Sequence, residues 1–148
     1  MKKMDFLIKP YESVGPVKLG MTPKQVHKAL NCLPKTFVNP DSDEIRDYFG
    51  NLGLHIVYRA PSHRCDRILL FLPANPIFLN RSLLKRLSFE KLNEWIKSMD
   101  ESAIMTGFEC VSYKFGFVLI TPSFKLFKHK RPKEVIVFKE GLYDYLKN

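Results

Sequence analysis

Two distant stretches of the chain open a helix in the same way, and this internal similarity restricts the folds open to it. In the first, Thr22 suits the N-cap, Pro23 suits the first helical position, and Gln25 completes a Thr-x-x-Gln capping box. Met21 and Val26 form a hydrophobic staple across the cap. Val26, Ala29, Leu30 and Leu33 then fall on one helical face, and the helix is predicted to stop before Pro34. In the second stretch Ser88 caps, Leu87 staples to Leu92, and the apolar face is Leu92, Trp95, Ile96 and Met99. Lys91 stands where the capping box would place Gln. The residues from Asn80 through Leu87 are compatible with an earlier helical turn.

The segments after the two helices also correspond. After the first come three apparent strands, Ile45–Phe49, Leu54–Arg59 and Arg67–Leu72, with a turn at Gly50–Gly53. After the second come Phe108–Tyr113, Gly116–Thr121 and Glu134–Phe138. Their content of Val, Ile, Phe and Tyr favours strands over short helices. The unit is a helix leading into a three-stranded antiparallel meander, used twice, over about residues 13–75 and 80–140. One unit has too small a core to stand alone. The expected fold is therefore α+β, a single domain over residues 1–148, with two tandem α-β-β-β repeats. They are expected to form one antiparallel sheet with both helices on one face and the opposite face partly open.

A chain of 148 residues can bury a sizeable core without disulfides or metal. Cys32, Cys65 and Cys110 cannot all pair within the chain and show no CxxC spacing, so they read as reduced, buried thiols in a cytoplasmic protein. A cysteine nucleophile assisted by His27, His55, His63 or His129 is the enzymatic alternative, and no catalytic motif supports it. Phosphate-binding glycine loops, Gly-x-Ser-x-Gly and His-Glu-x-x-His are all missing from the sequence. His63-x-Cys65 has no second ligand pair at a zinc-site spacing, so no metal and no cofactor are expected. The opening Met1–Pro10 stretch has no apolar h-region and does not read as a signal peptide. The longest apolar run, Ile68–Leu72, is too short to span a bilayer, and no membrane partner is expected.

The stretch Val17-Lys18-Leu19-Gly20-Met21-Thr22-Pro23-Lys24-Gln25-Val26, ending in Ala29-Leu30-Asn31, resembles the Gly-Met-Thr/Ser helix opening of the β-lactamase inhibitor protein group. The related small outer-membrane assembly lipoproteins share that opening, but the sequence shows no lipoprotein-type leader. Ser13–Thr22 is also similar to the start of bacterial immunity proteins that act against secreted or contact-delivered toxins. Gly53–Tyr58 and the Val-Ile-Val-Phe run near the end fit the later part of that pattern. The likeness is close only over Ser13–Leu30, and its residues set a helix opening rather than any chemistry. Asn31 replaces the usual Gly after the helix, which Asn allows because it tolerates a left-handed conformation. The resemblance implies the α+β fold and a cytoplasmic inhibitor. It also implies a concave sheet face as one binding surface, for which Phe49, Tyr58 and Tyr113 are aromatic candidates.

Lys and Arg number 24 against 15 Asp and Glu, a formal charge of +9, and the excess is concentrated. One basic loop carries Arg59, His63, Arg64 and Arg67, and the equivalent loop of the second half carries Lys125, Lys128, Lys130 and Arg131. Asp41, Asp43 and Glu44 form an acidic run before the first strand. Such loops can simply be solvated. Read as a recognition surface, these eight residues are the expected partner contacts, and the expected partner is a cognate toxin with an acidic contact surface. The alternative is nucleic acid, with Phe124 and Phe127 interleaved among the lysines for stacking, although no nucleic-acid-binding signature accompanies them.

Overall fold

The computed structural model describes residues 5–147, so Met1–Met4 of the opening stretch lie outside the described residues. The elements run β1 (Asp5–Lys9), β2 (Ser13–Val14), β3 (Val17–Lys18), α1 (Pro23–Leu30), β4 (Lys35–Val38), β5 (Ile45–Phe49), β6 (Leu54–Arg59) and β7 (Arg64–Leu70). Then come β8 (Asn75–Phe78), β9 (Arg81–Ser82), α2 (Phe89–Met99), β10 (Ile104–Met105), β11 (Glu109–Ser112), β12 (Phe117–Ile120), α3 (Phe124–Phe127) and β13 (Glu134–Phe138). The chain is α+β and mostly strand, with three short α-helices among the described residues.

Both main helices begin as their residues dictate. Thr22 Oγ1 accepts from Gln25 N and Gln25 Oε1 accepts from Thr22 N, which closes the capping box. Asn31 ends α1 in the left-handed region at φ 50°. Ser88 caps α2 by accepting from Lys91 N. Lys91 cannot complete this second box, and a tertiary contact serves the amides of the first two helical residues instead. Phe89 N donates to Lys130 O at 2.7 Å and Glu90 N to Lys128 O at 2.9 Å, so the basic loop after α3 satisfies the first amides of α2.

The expected single sheet is corrected to two. A five-stranded sheet has the order β3-β2-β1-β8-β9, and an eight-stranded sheet has the order β10-β11-β12-β13-β7-β6-β5-β4. The tandem α-β-β-β description does not match either, because each main helix precedes four strands of the large sheet and β1–β3 precede the first helix. The small sheet left little trace in the pattern. Two-residue strands carry no alternation, Pro76 inside β8 reads as a break, and β1 pairs in parallel with distant β8. The Asn80–Leu87 stretch is β9 and turns rather than a helical turn.

Val26 and Leu30 of α1 pack in one core with Phe89, Leu92 and Ile96 of α2, Phe6 and Phe78 of the small sheet, and Ile56, Ile68 and Val137 of the large one. Phe49 and Tyr58 belong to this buried core, so these two candidates for an open sheet face are not available on one. Tyr113 belongs to a second cluster on the other face, where Tyr143 and Leu142 cover Val111, Val118 and Ile136. Tyr113 donates its hydroxyl to Tyr143 O at 2.6 Å and is half-buried. The C-terminal stretch thus covers that face over the second half. Arg46, Tyr48, His55 and Arg67 stay partly accessible on the first half.

Two buried carboxylates brace helices to sheet. Asp47 of β5 meets His27 Nε2 of α1 at 2.6 Å and accepts from Thr36 Oγ1 of β4 at 2.6 Å and Tyr58 OH of β6 at 2.9 Å. Asp100, at the end of α2, accepts from Ser102 Oγ at 2.6 Å and Ser112 Oγ of β11 at 2.8 Å. Burial alone would raise the Asp100 carboxyl, but these hydrogen bonds hold it below its usual value. At the β5–β6 turn Gly53 has φ +74°, and a Cβ there would lie 2.1 Å from Phe71 O. No side chain fits that position.

Replacing Asp47 by Ala strands three polar partners and is expected to cost about 3–5 kcal/mol, by analogy with a broken buried pair. Tyr58→Phe removes one hydrogen bond and should cost about 1–1.5 kcal/mol. Urea unfolding monitored by circular dichroism measures both, and equal losses would contradict a shared hub at Asp47.

Candidate functional site

The antiparallel pairing of β7 with β13 decides where the two basic loops lie. Phe138 pairs with Arg67 and Val135 with Leu70. The loop between β6 and β7 therefore sits at one end of the large sheet, and the loop before β13 at the opposite end. The eight basic residues expected to contact a partner do not form one surface.

At the first end, residues of the β6–β7 loop, the chain before α1 and the chain after β13 enclose a cleft of about 460 Å³ lined by Gly20, Arg59, Ser62, Arg64, Asp66 and Lys139 among others. The loop is held firmly against the α1 start: Gly20 N donates to Cys65 O at 2.8 Å and Cys65 N to Met21 O at 2.7 Å. Arg64 Nη1 donates to Gly20 O at 2.9 Å. Lys139 N donates to Asp66 O at 2.9 Å, which fixes the incoming C-terminal strand end. Of the four expected residues, only Arg59 and Arg64 line this cleft. His63 instead turns away, its Nε2 3.0 Å from Asp43 O, with its backbone at φ 52°. Arg67 is on the sheet, 3.1 Å from Glu44 Oε2 and 3.6 Å from Asp66 Oδ1, and acts as a strut.

Asp66 is the unusual member. It is only 2% exposed, yet its nearest cations are Arg59 Nε at 3.3 Å and Arg67 Nε at 3.6 Å, and neither carboxylate oxygen meets a donor in hydrogen-bond geometry. Burial raises its carboxyl above the usual value, and the nearby Arg67 and Arg59 only partly offset that. Neither Asp66 nor Lys139 was legible as a site residue. The sole signal in the sequence was that the last strand must end beside a neighbour, and which neighbour depends on strand order.

At the second end a cleft of about 560 Å³ is lined by Leu72, Leu84, Phe127, Lys130, Arg131 and Lys133 among others. Lys128 Nζ is 3.7 Å from Glu90 and lies over the Phe124 ring at 5.8 Å. Arg131 Nη1 donates to Lys85 O at 3.2 Å. Lys125 is exposed in the last turn of α3. Phe124 packs edge-on against Phe89 of the core, 6.0 Å between centroids. Much of this loop therefore serves to close the α2 N-terminus.

A third feature is apolar. β4 is an outer strand of the large sheet, and each of its residues is exposed. Leu33 is 84%, Phe37 56% and Val38 58% exposed. The other outer strand, β10, is only two residues long, a common way of blunting an edge.

Among the described residues no group of His, Cys, Asp and Glu is arranged to hold a metal ion, and no helix is long and apolar enough to cross a membrane. Burial pushes the Cys65 and Cys110 thiols up to about 12, which disfavours their thiolate forms at neutral pH. Comparison of the chain with family models, curated proteins and solved structures finds no match.

Two outcomes are expected. A thiol reagent at pH 7.5 should modify half-buried Cys32 in the folded protein, while Cys65 and Cys110 react only on unfolding, as mass spectrometry of the labelled peptides would report. The raised Asp66 carboxyl means the folded state binds more protons than the unfolded state from the ordinary 3.8 up to the folded value. Its contribution to stability therefore falls as pH rises through that window. Asp66→Asn should gain on the wild type over the same window in paired urea titrations, and a gap independent of pH would contradict the assignment.

Proposed function

We propose that the protein is a non-enzymatic, cytoplasmic binding protein that neutralises a cognate bacterial toxin by tight, non-covalent association. The observation that carries this reading is the uncovered β4 edge. A sheet edge that exposes Phe37 and Val38, with Leu33 beside it, is suited to docking a protein segment through backbone pairing and apolar side chains. The immunity role rests on the likeness of Ser13–Leu30 to immunity proteins. The capped helix opening at Thr22 agrees with that likeness. The excess of Lys and Arg favours a toxin with an acidic contact surface.

The nucleic-acid alternative has less behind it. Its two basic loops lie at opposite ends of the sheet, and Phe124, one of the two rings suited to stacking, packs against the core.

The test is co-expression with candidate toxin domains from the adjoining genes, scored by growth and by co-purification. Wild type should protect the cells and co-purify. Phe37→Asp with Val38→Lys alters only exposed positions, should change stability by about 0.5 kcal/mol or less, and should weaken association by about tenfold or more. Wild type that neither protects nor binds would overturn the reading, and full binding by the double variant would overturn the role of β4.

A further inference from the structure

The cleft beside the β6–β7 loop combines features that a solvated loop does not need. Arg59, Arg64 and Lys139 surround it, and the carboxylate among them, Asp66, is nearly fully buried. Asp66 sits at Arg59 Nε, the inner side of that guanidinium, while the Arg59 side chain remains 56% exposed. Arg64 uses Nη1 to hold the Gly20 carbonyl, which fixes the side chain across the cleft and leaves its other N–H groups for a ligand. Lys139 is brought in from the far end of the chain by the β13 pairing. The result is a set of cations on a rigid frame, with a buried carboxylate orienting one of them.

We propose that this cleft is a recognition site for an oxyanion, a carboxylate or a phosphate group, gripped by Arg59 and Arg64 with Lys139 as a third charge. Guanidinium groups suit such ligands because their planar N–H pairs match two oxygens at once. Asp66 does not touch the ligand and is a positioning residue for Arg59. A buried carboxylate without aligned donors does not favour folding, and positioning Arg59 gives Asp66 a use that packing alone does not. The site is independent of the toxin-binding reading, which rests on the β4 edge.

The test is titration of the full chain, monitored by amide chemical shifts and calorimetry, with two probes. Inorganic pyrophosphate represents a free phosphate source, and a short glutamate-rich peptide represents a carboxylate presented by a protein. The proposal expects shifts centred on Gly20, Ser62 and Arg64 with at least one probe, and the tighter probe identifies the source. Arg59→Gln and Arg64→Gln should each weaken that probe by about tenfold. Asp66→Asn is the decisive variant because it makes the cleft more positive. Simple charge attraction predicts tighter binding, whereas positioning of Arg59 predicts binding weaker by several-fold. A urea titration of the same sample confirms that Asp66→Asn is folded. No cleft shift with either probe, unchanged affinity in Arg59→Gln and Arg64→Gln, or tighter binding by folded Asp66→Asn would each overturn the proposal.

Discussion

The antiparallel junction between β7 and β13 is the constraint on which the rest of the arrangement depends. Five residues of β13 and seven of β7 can contribute to it, and the pairing of Arg67 with Phe138 sets the register. A one-residue slip would turn Ile68, Val135 and Val137 away from the core that α1 and α2 cover. The same register carries the chain after Phe138 to the mouth of the β6–β7 loop, so Lys139 reaches Asp66. It also sends the loop before β13 to the other end of the sheet. A junction that exists to join two halves of a core thereby divides the positive charge into two separate surfaces.

Buried carboxylates show how the same residue type takes different parts in this framework. Asp47 is fully buried and satisfied by three side chains from three different elements, so it ties α1, β4 and β6 together. Asp100 does the same between the end of α2 and β11. Asp66 is just as buried but has only misaligned arginine neighbours. The first two are explained by the fold alone. The fold alone does not explain the third, and the positioning of Arg59 is the use proposed for it.

The two loops that look alike in composition also differ in physical role. Lys128 and Lys130 lend their carbonyls to the first amides of α2, so that loop is needed for the helix whatever its side chains do. The β6–β7 loop is pinned by backbone bonds to Gly20 and Met21, and its Arg59 and Arg64 remain directed to a cleft. The two outer strands are likewise unequal. β10 is too short to template a partner strand, while β4 is longer and exposes large apolar side chains.

Much of the local structure was legible in the sequence. Leu54–Arg59 and Glu134–Phe138 form as read, the Thr22 capping box closes, Asn31 ends its helix in the left-handed region, and Ser88 caps α2. These features depend on residues a few positions apart, so their chemistry is written in adjacent letters. The small sheet, the burial of Phe49 and Tyr58, the withdrawal of His63 and Arg67 from the cleft and the arrival of Lys139 were not legible. Each depends on which distant strand becomes a neighbour and in what register. Alternation along one strand shows that it has two faces, but only the packing of α1, α2 and the C-terminal stretch decides which face is buried. The sequence by itself determined the caps at Thr22, Asn31 and Ser88 and the turn between β5 and β6. The tertiary structure alone decided which charges meet, because that choice is made by contacts between residues far apart in the chain.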